Sequence, residues 1–391
     1  MRLACVQNGD YTQAARQFAQ GGSETYNGQF YTVSAFQRFT AGQPHIVVSM
    51  DAPPHEERQG AAVWCGIPQP KFFVRLPRRW ISLLHARQII QRLERFEPSH
   101  LLLRCLDLVG CELLSWANRH GIKAAAIFAA RLDPHHPPSL RFCRLGNDNN
   151  VAFFANHNRV AAQTMIECGL RSEKAIAWDL PPAVTPDEHV PRRRDAADVV
   201  RLLYAGALEP AKGIEDLIEA AELRHAAGQR IDLTVCGAGS LLDKLRAHEG
   251  IRQGWLAVLG KVAHEQVVDR MAGADFVVVP SRSEFNEGLP FVIQEGLAVR
   301  TPLLLSKHPV FLKYLDEGQG VAFFEERNPQ ALSALIEKLS CDPMRYAQLS
   351  QRTADAWQTL QCPLKFHDVL NRLAEKWELP QSPAPKPAMV A

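Results

Sequence analysis

Short runs of aliphatic and β-branched residues recur along the chain, separated by stretches whose apolar positions repeat every three or four residues. The runs Leu3–Val6, His45–Met50, Ala61–Cys65, His100–Arg104, Ala124–Ala129 and Val151–Ala155 read as buried strands. Helical periodicity fills 80–96 and 111–120, and the proline-bearing stretch 133–150 reads as a loop. A second series begins near 200, with strands at 202–205, 231–236, 255–259, 276–279, 303–305 and 321–324. Helical patterns at 213–227, 241–248, 265–272, 290–299 and 329–339 separate them, and two more close the chain at 344–360 and 363–377. Alternation of this kind predicts parallel sheets covered by helices on both faces. Two such series predict two Rossmann-like α/β domains with ligands at the carboxyl ends of the strands.

The stretch between them, with Pro181, Pro182, Pro186, Pro191 and the run Arg192-Arg193-Arg194, reads as a linker. The expected organisation is a first domain over 1–180, a linker over 181–196 and a second domain over 197–360. A C-terminal helix over 361–378 and a proline-rich, disordered tail over 379–391 complete it.

Composition narrows the class. With 391 residues, 46% hydrophobic and 22% charged, the chain is long enough for two cores and ordinary for a globular protein. Its nine cysteines form no C-x-x-C pair, which favours reduced, buried thiols over a disulfide framework or a zinc site. No apolar run reaches membrane-spanning length, and the start is too soon interrupted by Asn8-Gly9-Asp10 for a signal peptide. The expected location is cytoplasmic. A net charge of +2 gives no global nucleic-acid signature. The basic excess is local, at Arg75, Arg78, Arg79, Arg87, Arg92 and Arg95. There the stripe Ala86, Ile89, Ile90, Leu93 and Phe96 predicts a core-facing helix. Arg75, Arg78, Arg79 and Trp80 would suit an anionic membrane surface at the inner face of the membrane.

The chemistry concentrates after the strand 276–279. In Ser283-Glu284-Phe285-Asn286-Glu287-Gly288-Leu289-Pro290-Phe291-Val292-Ile293-Gln294-Glu295, two carboxylates flank a Gly-x-Pro step. Pro290 suits a helix start. Glu287 then lies in the loop before the helix and Glu295 inside it. Gly288 lets a ligand approach the backbone, and free N–H groups at the helix start can hold an anion. Such a loop fits a ligand with both hydroxyls and phosphate, such as a nucleotide-sugar.

This segment resembles the E-x7-E signature of retaining glycosyltransferases of the GT-B fold. These form the large group 1, family 4 type, which includes sucrose-phosphate synthases and bacterial polysaccharide transferases. The resemblance covers roughly residues 200 to 340. It implies two Rossmann-like domains facing across a cleft, acceptor on the first and donor on the second, with hinge closure near 179–196. The last helix would cross back to the first domain. It also implies that Glu295 binds the donor ribose, while Glu287 with Gly288 and Leu289 holds the donor sugar.

Other segments resemble the same family. Tyr204-Ala205-Gly206-Ala207-Leu208-Glu209-Pro210-Ala211-Lys212-Gly213 resembles its G-R-L-x-x-x-K-G step, so Gly206 and Lys212 are implied in diphosphate binding. Ala207 stands where the family has arginine. The turn Cys236-Gly237-Ala238-Gly239-Ser240 is either a donor-site wall, carried by Gly237, or a tight turn needing glycine torsions. Leu259-Gly260-Lys261-Val262 resembles the segment whose main chain reads the nucleobase, implicating Lys261 and Val262. In the first domain, Gly21-Gly22-Ser23-Glu24-Thr25 precedes the helical pattern 26–39 and resembles the glycine-rich phosphate loop. The alternative there is a flexible loop with Ser23 as helix cap. The histidine that many relatives carry at a first-domain strand end is absent from Phe128-Ala129-Ala130-Arg131. Arg131, Asp133, His135, His136 and His157 are the candidates to replace it.

The expected activity is retaining transfer of a sugar from a nucleotide-diphosphate donor to a glycan or lipid-linked glycan in surface-polysaccharide synthesis. The protein positions and stabilises charge, with Glu287, Lys212, His135 and His157 as catalytic candidates. No metal and no cofactor are implied, since Lys212, amides and helix dipoles hold the diphosphate. Two alternatives share the fold: a non-catalytic nucleotide-sugar binder and a sugar-nucleotide 2-epimerase.

Overall fold

The computed structural model describes residues 1–21, 28–70, 77–285 and 287–381. Gly22, Ser23, Glu24, Thr25, Arg75, Asn286 and the tail from 382 lie outside the described residues. Two compact units emerge, one of residues 1–181 with 362–391 and one of 182–361.

The first unit holds β1 (Leu3–Gln7), β2 (His45–Ser49), β3 (His55–Gln59), β4 (Ala62–Gly66), β5 (His100–Arg104), β6 (Lys123–Phe128), β7 (Val151–His157) and β8 (Ala175–Trp178). They form one sheet in the order β3-β4-β2-β1-β5-β6-β7-β8. All pairings are parallel except β3 on β4. Period-two alternation explains why the inner strands are apolar throughout. Ala4, Val6, Ile46, Val48, Leu101 and Leu103 pack into one core, while Leu3, Cys5, Val47 and Leu102 pack into another on the opposite face.

The second unit holds β9 (Val200–Ala205), β10 (Ile231–Cys236), β11 (Leu256–Gly260), β12 (Phe276–Val279), β13 (Leu303–Ser306) and β14 (Val321–Phe324). All are parallel, in the order β11-β10-β9-β12-β13-β14. The order reverses between β9 and β12, so the switch point of this doubly wound sheet lies at their carboxyl ends.

Several local expectations are corrected. The stretch 133–150 is not all loop: Pro137 and Pro138 start a helix, Pro137–Leu145, where missing N–H groups cost nothing. The polar strand β3 carried no apolar alternation to reveal it. Pro290 caps the helix Phe291–Ala298 from one position outside. The stretch 182–196 packs on the second unit. The Arg192 backbone N–H donates to Ser350 Oγ at 2.7 Å, Arg192 Nη1 to Thr301 Oγ1 at 2.9 Å, and Arg300 Nε to the Pro186 carbonyl at 3.0 Å.

The returning C-terminal segment is anchored in the first unit by Asp179, 2% exposed. Its carboxylate accepts from the Cys362 N–H at 2.6 Å and from Lys365 Nζ at 2.5 Å. Its backbone pairs with Leu364 and Phe366. The Leu379 N–H donates to the Ala374 carbonyl at 2.8 Å, so the helix Phe366–Lys376 ends in a closed turn.

The basic helix runs Arg78–Glu94. Ala86, Ile89, Leu93 and Phe96 are buried and Ile90 partly so, while Trp80 is 48% exposed. All nine cysteines are free thiols, eight of them buried. Burial pushes Cys65 up to about 11, which keeps it protonated and unreactive. Among the described residues, no helix is long and apolar enough to cross a membrane.

Candidate functional site

The loops leaving β9 and β12 meet at the switch point. After β9, a short 3-10 turn at Pro210–Lys212 ends on Gly213, whose φ is +69°. A side chain at Gly213 would place Cβ 2.0 Å from the Pro280 carbonyl oxygen, so only glycine lets the two loops approach. Lys212 thereby reaches Glu287. Its ammonium pairs with Glu287 Oε1 and lies 4.1 Å from the centre of the Phe285 ring. Glu287 is 5% exposed, and Ser281 Oγ donates to the same oxygen at 2.9 Å. Burying a carboxylate is costly unless it is paired and hydrogen-bonded, and both conditions hold here.

The loop carrying Glu287 is tied down along its length. Arg282 makes a two-pronged pair with Asp216, at 3.1 and 2.7 Å, from the first turn of the helix Ile214–Ala226. That pairing keeps the guanidinium proton bound more tightly than usual. The Arg282 N–H donates to the Ala211 carbonyl at 2.9 Å, joining the two loops directly. Glu326 accepts from Ser283 N–H and Oγ at 2.6 and 2.8 Å, and His308 Nε2 donates to the Phe285 carbonyl at 3.2 Å. The result is a rigid frame around an exchangeable charge pair.

Neighbouring strand ends continue the same edge. The Gly206 N–H donates to the Cys236 carbonyl at 3.0 Å, and the Gly237 N–H to the Gly260 carbonyl at 2.8 Å. Gly237 has φ +149°, and a Cβ there would lie 1.8 Å from the Gly206 carbonyl oxygen, so packing alone requires this glycine. Gly288 is the opposite case: nothing lies within 4 Å of where its Cβ would be. Leu289 turns inward to the core, 5% exposed. Lys261 is exposed and Val262 half-buried beyond β11. Ala207 is exposed, and its carbonyl accepts from the Tyr204 hydroxyl at 2.6 Å. The Ser240 hydroxyl and backbone N–H hold the Glu209 carboxyl below its usual range.

Glu295 sits in the helix Phe291–Ala298, and His264 Nε2 meets its Oε1 at 2.6 Å. Next to it, Gly296 lets the helix lie against Val277 and Leu303, since a Cβ there would approach a Leu303 methyl at 2.6 Å. His264, Ser281 and the Asp216–Arg282 pair escaped the sequence reading. No motif marks them, because they become neighbours only through crossovers of the parallel sheet.

Gly21, His135 and His157 are candidates that belong to the first unit. Gly21, φ +74°, closes the helix Tyr11–Ala19 with its N–H on the Phe18 carbonyl at 3.1 Å. His135 is exposed on a turn, its N–H donating to Asp133 Oδ1 at 2.8 Å. His157 ends β7 against Trp178, ring centres 5.2 Å apart, and burial pushes it down to about 4. It is therefore neutral at pH 7. Gly22 lies outside the described residues.

Comparison with known proteins adds to this geometry. Residues 189–356 match the family described as glycosyl transferases group 1. The alpha-D-kanosaminyltransferase of Streptomyces kanamyceticus is 26% identical over 263 residues, covering 66% of this chain and 61% of that protein. The amylovoran biosynthesis glycosyltransferase AmsK of Erwinia amylovora is 24% identical over 47% of this chain and 46% of its own length. The aligned stretch thus spans about half the length of the curated relatives it matches. Among solved structures, Anabaena Alr3699/HepE in complex with UDP has a TM-score of 0.61 at 12% identity, covering 97% of this chain and 100% of that one. The same Anabaena protein is also known with UDP-glucose. At that identity the likeness shows the fold, which is GT-B.

Proposed function

We propose that this chain, whose second unit is a group 1 glycosyltransferase domain within a GT-B fold, moves a sugar from a nucleotide-diphosphate donor to a glycan or lipid-linked glycan. The transfer retains the anomeric configuration and serves surface-polysaccharide synthesis. The observation that carries this reading is the Lys212–Glu287 pair at the switch point of the second sheet. Ligands of such sheets bind at that edge.

Glu287 pairs with Lys212 at this edge. A donor diphosphate competes for the ammonium, and backbone N–H groups near Gly288 add to its binding. Glu287 is then available to sugar hydroxyls, and Glu295 to the ribose. In the transfer step the anomeric C–O bond to phosphate breaks and a bond to the acceptor oxygen forms on the same face. The acceptor proton passes to the departing phosphate oxygen. Lys212 stabilises the charge that develops there. The Anabaena relative holds UDP, so uridine donors are the first to test. Exposed Trp80, with the Arg79 guanidinium 5.5 Å from its ring centre, offers a surface for an anionic membrane bearing lipid-linked acceptor.

The test is thermal stability against UDP-, GDP- and ADP-sugars, on the wild type and Glu295→Ala. A ligand at a hundred times its dissociation constant adds roughly 2.7 kcal/mol. A shift with one nucleotide family, lost in Glu295→Ala, supports the donor site. No shift at millimolar ligand sinks it. Product anomers read by proton NMR then test retention. Ala207, in place of the family's arginine, favours a second reading, a nucleotide-sugar binder without turnover. Binding with no product against an acceptor panel would select it.

A further inference from the structure

We propose that His264 is the positioning residue for nucleoside recognition: it locks the Glu295 carboxylate to the loop after β11, so that ribose and base are read as one rigid unit. The inference rests on the donor-site reading above and assigns a role to a residue outside the E-x7-E segment.

The geometry is specific. His264 opens the helix His264–Gly273, four residues beyond Gly260 at the end of β11. Glu295 lies in the separate helix Phe291–Ala298. Their side chains meet at 2.6 Å, with 31% of the histidine and 14% of the carboxylate side chain exposed. An ionised carboxylate only accepts, so Nε2 carries the hydrogen. The bond is charge-assisted and partly shielded from water, the setting in which such bonds are strongest.

A glutamate side chain has three rotatable bonds, and a vicinal diol needs its carboxylate in one orientation. The carboxylate offers about four lone-pair sites. His264 occupies one on Oε1 and leaves the others for two ribose hydroxyls. Holding the carboxylate before the ligand arrives lowers the ordering cost of binding. The same histidine directly follows the loop that carries Lys261 and Val262. Its bond therefore fixes the spacing between the expected base-reading main chain and the ribose-reading carboxylate. Gly260, with φ +74°, accepts the Gly237 N–H at 2.8 Å, so this loop is itself anchored to the next strand end.

The test uses the full chain and calorimetric titration with UDP, GDP and ADP, and with the 2′-deoxy form of whichever binds most tightly. The wild type should prefer the ribose form. His264→Ala should bind that form about tenfold more weakly, the scale of one charge-assisted hydrogen bond. Its affinity for the 2′-deoxy form should change far less, so the ribose preference collapses. His264→Gln, which keeps an N–H donor, should restore affinity to within about threefold of wild type. The ratio between the two forms cancels any general loosening of the fold. An unchanged ratio in His264→Ala, or a glutamine variant as weak as alanine, overturns the inference while the donor site stands. A wild type that binds no nucleoside diphosphate overturns both.

Discussion

Lys212 and Glu287 stand 75 residues apart in the chain and form a buried ion pair at the meeting of two strand-to-helix loops. Breaking a buried pair from one side strands the remaining charge. Glu287→Ala should therefore destabilise the unliganded protein by roughly 3 kcal/mol, read from the urea midpoint. Lys212→Ala should do likewise, and the double variant should cost clearly less than the sum. Additive losses would mean that the two groups are not coupled.

Gly237 and Gly288 make opposite predictions. Gly237→Ala forces Cβ onto the Gly206 carbonyl and should cost more than about 2 kcal/mol, lowering the melting midpoint by several degrees. Gly288→Ala meets no protein atom and should leave stability within about 0.5 kcal/mol. If donor phosphate or sugar packs on that backbone, Gly288→Ala still loses about tenfold in kcat/KM without a loss of stability. A Gly288→Ala enzyme with full activity would move the donor away from this loop.

Asp179 holds the returning C-terminal segment through the Cys362 N–H and Lys365. Asp179→Ala removes the carboxylate that joins these two bonds and should cost roughly 3 kcal/mol. Limited proteolysis should then release fragments beginning near residue 362. An unchanged digestion pattern would show that the apolar face of the helix Phe366–Lys376 suffices to hold it.

His157 sets part of the acid limit. Its ordinary value is near 6.5, and burial lowers it to about 4 in the folded protein. Between those values the unfolded chain binds the extra proton, so stability is intact above about pH 6.5, falls as pH drops towards 4, and levels off below. His100, also lowered to about 4 by burial and then by Lys123, acts in the same direction. His157→Gln should remove roughly 2 kcal/mol of the difference in unfolding free energy between pH 7 and 4.5, read from denaturant titrations. An identical pH slope in wild type and variant would contradict a buried neutral imidazole.

The sequence alone determined the elements whose signal is local. Apolar runs bounded by turn residues marked the inner strands, because a parallel strand buried on both faces must be apolar throughout. The spacing of Glu287, Gly288, Pro290 and Glu295 marked a loop and helix start with carboxylates, because one strand end and one helix turn contain all four. Glycine at 237 was legible as a turn residue, but the close approach was not: the oxygen it avoids belongs to Gly206, just past the end of β9. Tertiary structure alone decided that Pro137 begins a helix, that polar β3 joins the sheet edge, and that residues 182–196 pack on the second unit. It also decided which charges meet. Lys212 finds Glu287, Asp216 finds Arg282 and His264 finds Glu295 through crossovers that bring distant loops to one edge. Periodicity along a chain carries no record of such meetings, because each partner satisfies its own local pattern equally well without the other.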